Sequence, residues 1–475
     1  MRIKELYNTS SGFSFKSQEF LSQGIPLIRI GDLKDNVITI DDKTAFLPEN
    51  YTRKYSKFVI KKNDILIAMS GATIGKFAIY ENDNPALLNQ RVAVFRSVEN
   101  STLMQRYLFY YLFTANKHIR TLATSSAIEN ITLSELQNLE IYIPKDKINL
   151  ERIVSILDRT QNLIQKRQQT IEILDELVKA VFWDMFGDPY LNNKNWEIVN
   201  VDNVVENINA GKSVSGIHRK LSDNEIAVLK VSAVTKGFFN PEEYKVVNKE
   251  KIKKPIITLK RGDILFTRAN TMDLVAATCT VDKDYPYLFL PDKIWKIQLK
   301  DNLVKPNYFK MVLSNNGYRK ALALKATGSS GSMVNISQEK LKNNNFPLAS
   351  FRLQSQFEEF VTLVDKLKVL LKDSLESNQI LFQSFIQKAF KGELDFEKAK
   401  ILEDILPNLK LEELLSDLKL LKSFLDKLQK QDFKTGSNYK LAQNLLFQLL
   451  DNKKSGVFQQ CDVETENLEI KHEAS

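Results

Sequence analysis

Cysteine is nearly absent from this chain: two among 475 residues, Cys279 and Cys461. So few, so far apart, give no disulfide framework and no zinc spacing, and a reducing compartment is expected. Histidine is as scarce. His118, His218 and His472 are isolated in the sequence and none sits at metal-ligand spacing, which predicts structural or surface roles. No run approaches about 18 consecutive apolar residues, so no membrane-spanning helix is expected. The opening Met1-Arg2-Ile3-Lys4-Glu5-Leu6-Tyr7 lacks the apolar core of a signal peptide. A cytoplasmic protein is predicted.

Catalytic motifs are missing too. Ser70-Gly71-Ala72-Thr73-Ile74-Gly75-Lys76 is one residue short of a phosphate-binding loop, and Phe77 stands where Ser or Thr should hold magnesium. A turn between strands is the expectation there. Pro291-Asp292-Lys293 resembles a fragment of a nuclease motif but has no second acidic-x-Lys element near it, so a turn before a strand is expected. There is no Asn/Asp-Pro-Pro-aromatic string of an adenine methyltransferase and no Gly-rich S-adenosylmethionine turn. No chemistry and no bound cofactor or metal are predicted for this chain.

What is present is periodic. Leu150, Leu157, Ile164, Ile171, Val178 and Met185 recur every seven residues within Ile148–Phe186, beside Ile153, Ile156, Leu163, Leu174, Leu177 and Val181. Two such rows make the narrow seam of a coiled coil, interrupted at Thr160 and Arg167, and Gly187 and Pro189 end it. At about 1.5 Å per residue this helix would span roughly 55 Å.

The segments around it repeat. Val228-Leu229-Lys230-Val231 follows Leu27-Ile28-Arg29-Ile30, and Lys260-Arg261-Gly262-Asp263-Ile264-Leu265 follows Lys61-Lys62-Asn63-Asp64-Ile65-Leu66. A helix over Pro306–Lys325 answers one over Met104–Leu122, and Asn335-Ile336-Ser337 answers Asn130-Ile131-Thr132. The offset drifts only from 199 at the aspartates to 205 at the asparagines, as small loop insertions would produce. A second long helix, Leu353–Phe390, follows the second copy, with Leu353, Phe360, Leu367 and Leu381 in one row and Phe357, Val364, Leu371 and Phe385 in the other. Ser374 and Asn378 interrupt it. Beyond lie amphipathic stretches at Leu409–Leu428 and Tyr439–Leu450 and a polar end expected to be disordered. The predicted organisation is 1–145, globular; 146–189, helix; 190–350, globular; 351–392, helix; 393–475, helical extension.

Charge is concentrated in the globular segments. The chain carries +9 overall, and residues 190–350 hold 25 Lys and Arg against 15 Asp and Glu, compared with 18 against 14 in residues 1–145. That favours a polyanion bound by the globular units.

The order of elements, the paired Lys-x-x-Asp-Ile-Leu strings, Gly71-x-x-x-Gly75-Lys76, the Ser/Gly loop before Asn335-Ile336-Ser337, and Trp196-Glu197-Ile198-Val199 resemble the DNA-specificity (S) subunit of Type I restriction-modification systems. The resemblance covers about residues 1–392. Two departures stand out: the first unit lacks a Trp-containing opening strand, and Arg268–Asp273 replaces the Gly-x-x-x-Gly-Lys turn in the second. The resemblance implies an α+β protein: two mixed α/β target-recognition domains separated by a long antiparallel two-helix coiled coil, as a pseudo-twofold internal repeat.

It also implies a non-enzymatic subunit that reads a bipartite, asymmetric site in double-stranded DNA. Methylation and cleavage would fall to modification and restriction subunits that carry S-adenosylmethionine, ATP and Mg. Base readout requires polar side chains in loops, with Lys and Arg on phosphates. The candidates in the first unit are Ser11, Ser14, Lys16, Ser70, Thr73, Lys76, Asn89, Gln90, Arg91, Ser125, Ser126 and Asn130. Those in the second are Lys212, Ser213, Arg219, Arg268, Asn270, Thr271, Lys293, Ser329, Ser330, Ser332 and Asn335. For any one of them a solvated turn is the competing reading. Aromatic residues near the helix ends, Phe182, Trp183, Phe382 and Phe390, are the candidate docking surface for modification subunits. Two other classes remain open: a self-sufficient methyltransferase or nuclease with diverged motifs, and a non-specific DNA-binding scaffold.

Overall fold

The computed structural model describes all residues except 35, 125–129, 253–254, 329–332 and 395–475. The helices expected within Leu409–Leu428 and Tyr439–Leu450 therefore lie outside the described residues. The protein is a mixed α/β structure that divides into two compact units. One is Met1–Gln168 with the described residues from Lys372 onward; the other is Gln169–Leu371.

In the first unit a six-stranded sheet runs in the order Tyr7–Ser11, Val92–Ser97, Ile65–Ala68, Phe77–Ile79, Val37–Ile38, Leu33–Lys34. Ile65-Leu66-Ile67-Ala68 is buried on both faces, which explains its continuous apolar run rather than an alternation. A second sheet is ordered Ala45–Leu47, Ile25–Ile28, Ala86–Leu88, Val59–Ile60, with Ile25–Ile28 parallel to Ala86–Leu88. The helix Thr102–Thr124 lays Tyr107, Leu108, Leu112 and Ile119 onto the core.

The second unit repeats both sheets. Val205–Ala210, Ile294–Leu299, Ile264–Thr267 and Thr278–Thr280 take the order of the first four strands above. Tyr244–Val247, Ile226–Leu229, Tyr285–Phe289 and Thr258–Leu259 form the other sheet, again with one parallel pair, Ile226–Leu229 and Tyr285–Phe289.

The recurring Lys-x-x-Asp string has a structural cause. Asp64 accepts the Lys61 backbone N–H at 2.8 Å and the Arg96 guanidinium at 2.6 Å from the neighbouring strand. Asp263 accepts the Lys260 N–H at 2.7 Å and pairs with Lys296 at 2.7 Å. In each unit one carboxylate, buried at Asp64 and half-buried at Asp263, holds the turn and ties the central strand to its neighbour.

The copies differ in two places. Pro306–Lys325 is not one helix: Pro306–Ser314 and Asn316–Leu324 are separate, because the Asn315 side chain caps the second by accepting the Tyr318 N–H at 3.0 Å. Glu197–Asn200 pairs with Asn345–Leu348 in the second unit, whereas the first has only an Arg2–Glu140 bridge at the matching place. The Trp196 indole N–H donates to the Phe186 carbonyl at 2.8 Å, an anchor for which the first unit has no tryptophan.

The long helices are Lys147–Phe186 and Phe351–Lys391, each ended by a glycine at positive φ, Gly187 (71°) and Gly392 (73°). Each unit takes part of both. In the first unit Leu150, Ile153, Leu157 and Ile164 share a core with Phe382, Phe385, Ile386 and Ala389. In the second, Leu174, Leu177, Val181 and Phe182 share one with Phe357, Phe360, Val364 and Leu367. There Phe182 meets Phe357 with ring centroids 5.5 Å apart, and Lys368 Nζ lies 2.6 Å from Asp175. Residue numbers rise on one helix as they fall on the other, so these segments run antiparallel. Thr160, a polar residue on the seam, is buried and donates its hydroxyl to the Ile156 carbonyl at 2.8 Å.

This packing corrects the docking expectation for three aromatics. Phe182 and Phe382 are buried, and Phe390 is half-buried, with its ring 4.8 Å from Tyr107 and 5.7 Å from Tyr111. A seam flanked by a globular core on the same side absorbs them. Trp183 alone of the four is exposed.

Candidate nucleic-acid interface

Backbone hydrogen bonds bring the loops of the first unit together at one sheet edge. The Phe13 N–H donates to Leu88 O at 2.9 Å, and the Gln90 N–H returns to Phe13 O at 3.1 Å. The Met69 N–H donates to Arg91 O at 2.9 Å, the Ile131 N–H to Met69 O at 2.9 Å, and Ser70 bridges Asn130. So Ser11 to Ser14, Met69-Ser70, Asn89 to Arg91 and Asn130-Ile131 are neighbours although up to 120 positions apart. Only glycine fits at the first contact: a Cβ on Gly12 would lie 2.0 Å from Leu88 O.

The second unit builds the same cluster from different residues. The Lys212 N–H donates to Leu290 O at 3.0 Å, the Arg268 N–H to Lys293 O at 3.0 Å, and the Ile336 N–H to Arg268 O at 2.8 Å. Ala269-Asn270 pairs with Val334-Asn335, where the first unit has a single bridge. A Cβ on Gly211 would lie 1.8 Å from Leu290 O. By these bonds Phe13 occupies the place of Lys212, Met69 that of Arg268, and Arg91 that of Lys293.

The candidate side chains fare differently. Ser14, Lys16, Lys76, Gln90, Arg91, Asn130, Lys212, Ser213, Arg219 and Thr271 are exposed. Ser11, Ser70, Thr73, Asn89, Asn270, Lys293 and Asn335 are half-buried. Several serve the loops themselves. The Thr73 hydroxyl donates to Ser70 O at 3.2 Å, Asn89 Oδ1 accepts the Arg91 N–H at 3.3 Å, and Asn270 Oδ1 accepts the Thr271 N–H at 2.8 Å. The Ser213 hydroxyl donates to Asp292. Ser125, Ser126, Ser329, Ser330 and Ser332 lie outside the described residues.

The Gly71–Lys76 segment runs from the strand Ile65–Ala68 into the antiparallel strand Phe77–Ile79, with no helix after the glycines to receive a phosphate. Asn116 of the helix Thr102–Thr124 clamps it by donating to Gly75 O at 2.5 Å. Pro291-Asp292-Lys293 is likewise a turn before a strand.

Two arginines stand apart from the expectation. Arg219 makes two guanidinium contacts with Glu225, at 2.7 and 2.5 Å, in a cleft of about 620 Å³ lined also by Ile217, Asn224 and Lys249. That hydrogen-bonded cation pushes the Glu225 carboxyl down to about 2. Arg219 is exposed and paired with Glu225 within its own loop. Arg268 lies over the Trp295 ring at 5.9 Å, and its Nε is buried without a hydrogen-bond partner. The indole face attracts the guanidinium and holds it over the ring. Among the described residues no group of His, Cys, Asp and Glu is arranged to hold a metal ion, and no helix is long and apolar enough to cross a membrane.

The residue that sequence reasoning passed over is Phe13, 37% exposed amid these polar loops. The signal was available: Gly12-Phe13 and Gly211-Lys212 are separated by the same 199 positions as Asp64 and Asp263.

Residues 1–173 match the family model described as Type I restriction modification DNA specificity domain. The MjaVIII Type I specificity subunit of Methanocaldococcus jannaschii is 30% identical over 190 residues, 38% of this chain and 43% of that protein. The chain thus spans less than half the length of that relative. The EcoKI specificity subunit of Escherichia coli K12 is 23% identical over 409 residues, covering 81% of this chain and 86% of its own. In fold, the chain is similar to a Type I restriction-modification S subunit from M. genitalium, with a TM-score of 0.50, 16% identity, and 82% and 95% coverage. Residues 1–173 are thus similar to the Type I restriction modification DNA specificity domain, and both relatives named above are Type I specificity subunits.

Proposed function

We propose that this chain is the non-catalytic, sequence-specific DNA-binding subunit of a Type I restriction-modification complex in the cytoplasm. Each unit reads one half of a bipartite, asymmetric site in double-stranded DNA. The two long helices pair antiparallel as one coiled coil and set the spacing between halves. Modification subunits carrying S-adenosylmethionine dock on it and methylate adenine, and restriction subunits carrying ATP and Mg cleave.

The observation that carries this reading is the loop cluster built twice on the same backbone hydrogen bonds with different side chains. A conserved frame with exchanged Phe13/Lys212 and Met69/Arg268 is what two readers of different base sequences require, since phosphate contacts position and base contacts specify. The basic excess of residues 190–350 supports a polyanionic ligand. Exchanging residues 190–350 for those of a relative, followed by base-resolved mapping of adenine methylation in cells, should change one half of the methylated site. A change in both halves, or in neither, sinks the modular reading.

A further inference from the structure

Phe13 is an apolar ring in a place built for polar readout. Its backbone is held on both sides, by Leu88 and Gln90, and its ring rests on Phe15, Tyr55 and Phe58 with centroids 5.1, 4.9 and 5.3 Å away. That platform keeps the side chain from folding inward, and Gly12 lets its segment approach the Leu88 carbonyl closely, next to the loop that carries the exposed Gln90 and Arg91. Exposing a ring costs hydrophobic free energy that a polar residue would avoid. The second unit, with the same backbone bond, carries the exposed Lys212 at that position instead. The position is therefore structurally permissive, and its chemistry differs between the two units. Among base edges in the major groove, the apolar feature that a ring can contact is the 5-methyl group of thymine.

Resting on the DNA-reading function above, we propose that Phe13 reads a thymine through its 5-methyl group in the half-site bound by the first unit. Lys212, at the equivalent place, gives the second unit a different preference at its matching base pair.

The test uses the full chain and duplexes selected from a random library. Each thymine of the selected site is replaced in turn by deoxyuridine, which removes only the methyl. The wild type should lose about fourfold in affinity at one position in one half, the worth of one buried methyl group. Phe13→Leu should keep part of that dependence, and Phe13→Ala should bind the thymine and uracil duplexes alike while its thermal unfolding matches the wild type. Indifference of the wild type to every uracil overturns the inference. So does Phe13→Ala weakening the thymine and uracil duplexes while the thymine-over-uracil ratio stays at its wild-type value, which marks a ring wedged between base pairs. If the library yields no preferred sequence at all, the DNA-specificity reading itself fails, a result distinct from both.

Discussion

Gly211→Ala puts the loop frame under a defined load. The new Cβ would stand 1.8 Å from Leu290 O and 2.3 Å from its carbonyl carbon, against ordinary contact from 3.4 Å. Both neighbours are backbone, so the two segments must separate by about 1.5 Å, a C···O contact being closest near 3.3 Å. That movement breaks the Lys212 N–H···O Leu290 bond, 3.0 Å long. Overpacking of this kind costs about 1–3 kcal/mol, and the lost hydrogen bond about 1 kcal/mol. A total of about 2–4 kcal/mol lowers the melting temperature of a unit this size by about 4–16 °C.

The assay is equilibrium binding of the full chain to its selected duplex with each half randomised in turn, alongside thermal unfolding. The half read by the second unit should lose at least about thirtyfold in its contribution to affinity, with the other half unchanged. Gly12→Ala, whose Cβ would lie 2.0 Å from Leu88 O, should do the reverse. Wild-type binding and melting in Gly211→Ala would refute the close approach as a requirement of the site.

Arg268→Ala should cost about 1–3 kcal/mol of discrimination at one base pair, read from binding to single-base variants; an equal loss on every duplex marks a phosphate contact instead. Asp64→Ala strips the Arg96 guanidinium of its carboxylate and the Lys61 N–H of its acceptor. Arg96 is 36% exposed, so the expected loss in urea unfolding is about 2–3 kcal/mol rather than the full buried-pair value. Replacing both Asp64 and Arg96 by leucine should recover part of it, and no recovery would place the stability in the turn alone. Removing one heptad from Lys147–Phe186 and a matching seven residues from Phe351–Lys391 should shorten the gap between the two half-sites; an unchanged gap refutes the ruler.

Seven-residue periodicity and strings such as Lys-x-x-Asp are local, and so the sequence by itself determined the two long helices, the repeat and the central strand of each unit. Leu157 and Leu367 declare their burial by spacing alone, because an apolar side chain at that recurrence has one face to go to. The strand-to-strand turn at Gly71–Lys76 was legible for the same reason: the string is one residue short of a phosphate loop, and Phe77 stands where Ser or Thr should hold magnesium. Tertiary structure decided what no local signal carries. The burial of Phe182, Phe382 and Phe390 depends on which core flanks the seam. The pairing of Arg219 with Glu225 is likewise a product of the fold. Above all, Phe13 meets Leu88, and Lys212 meets Leu290, across more than seventy positions. Such pairings are set by which strands share a sheet, a property of the whole folded unit, and they gather scattered polar loops at one sheet edge.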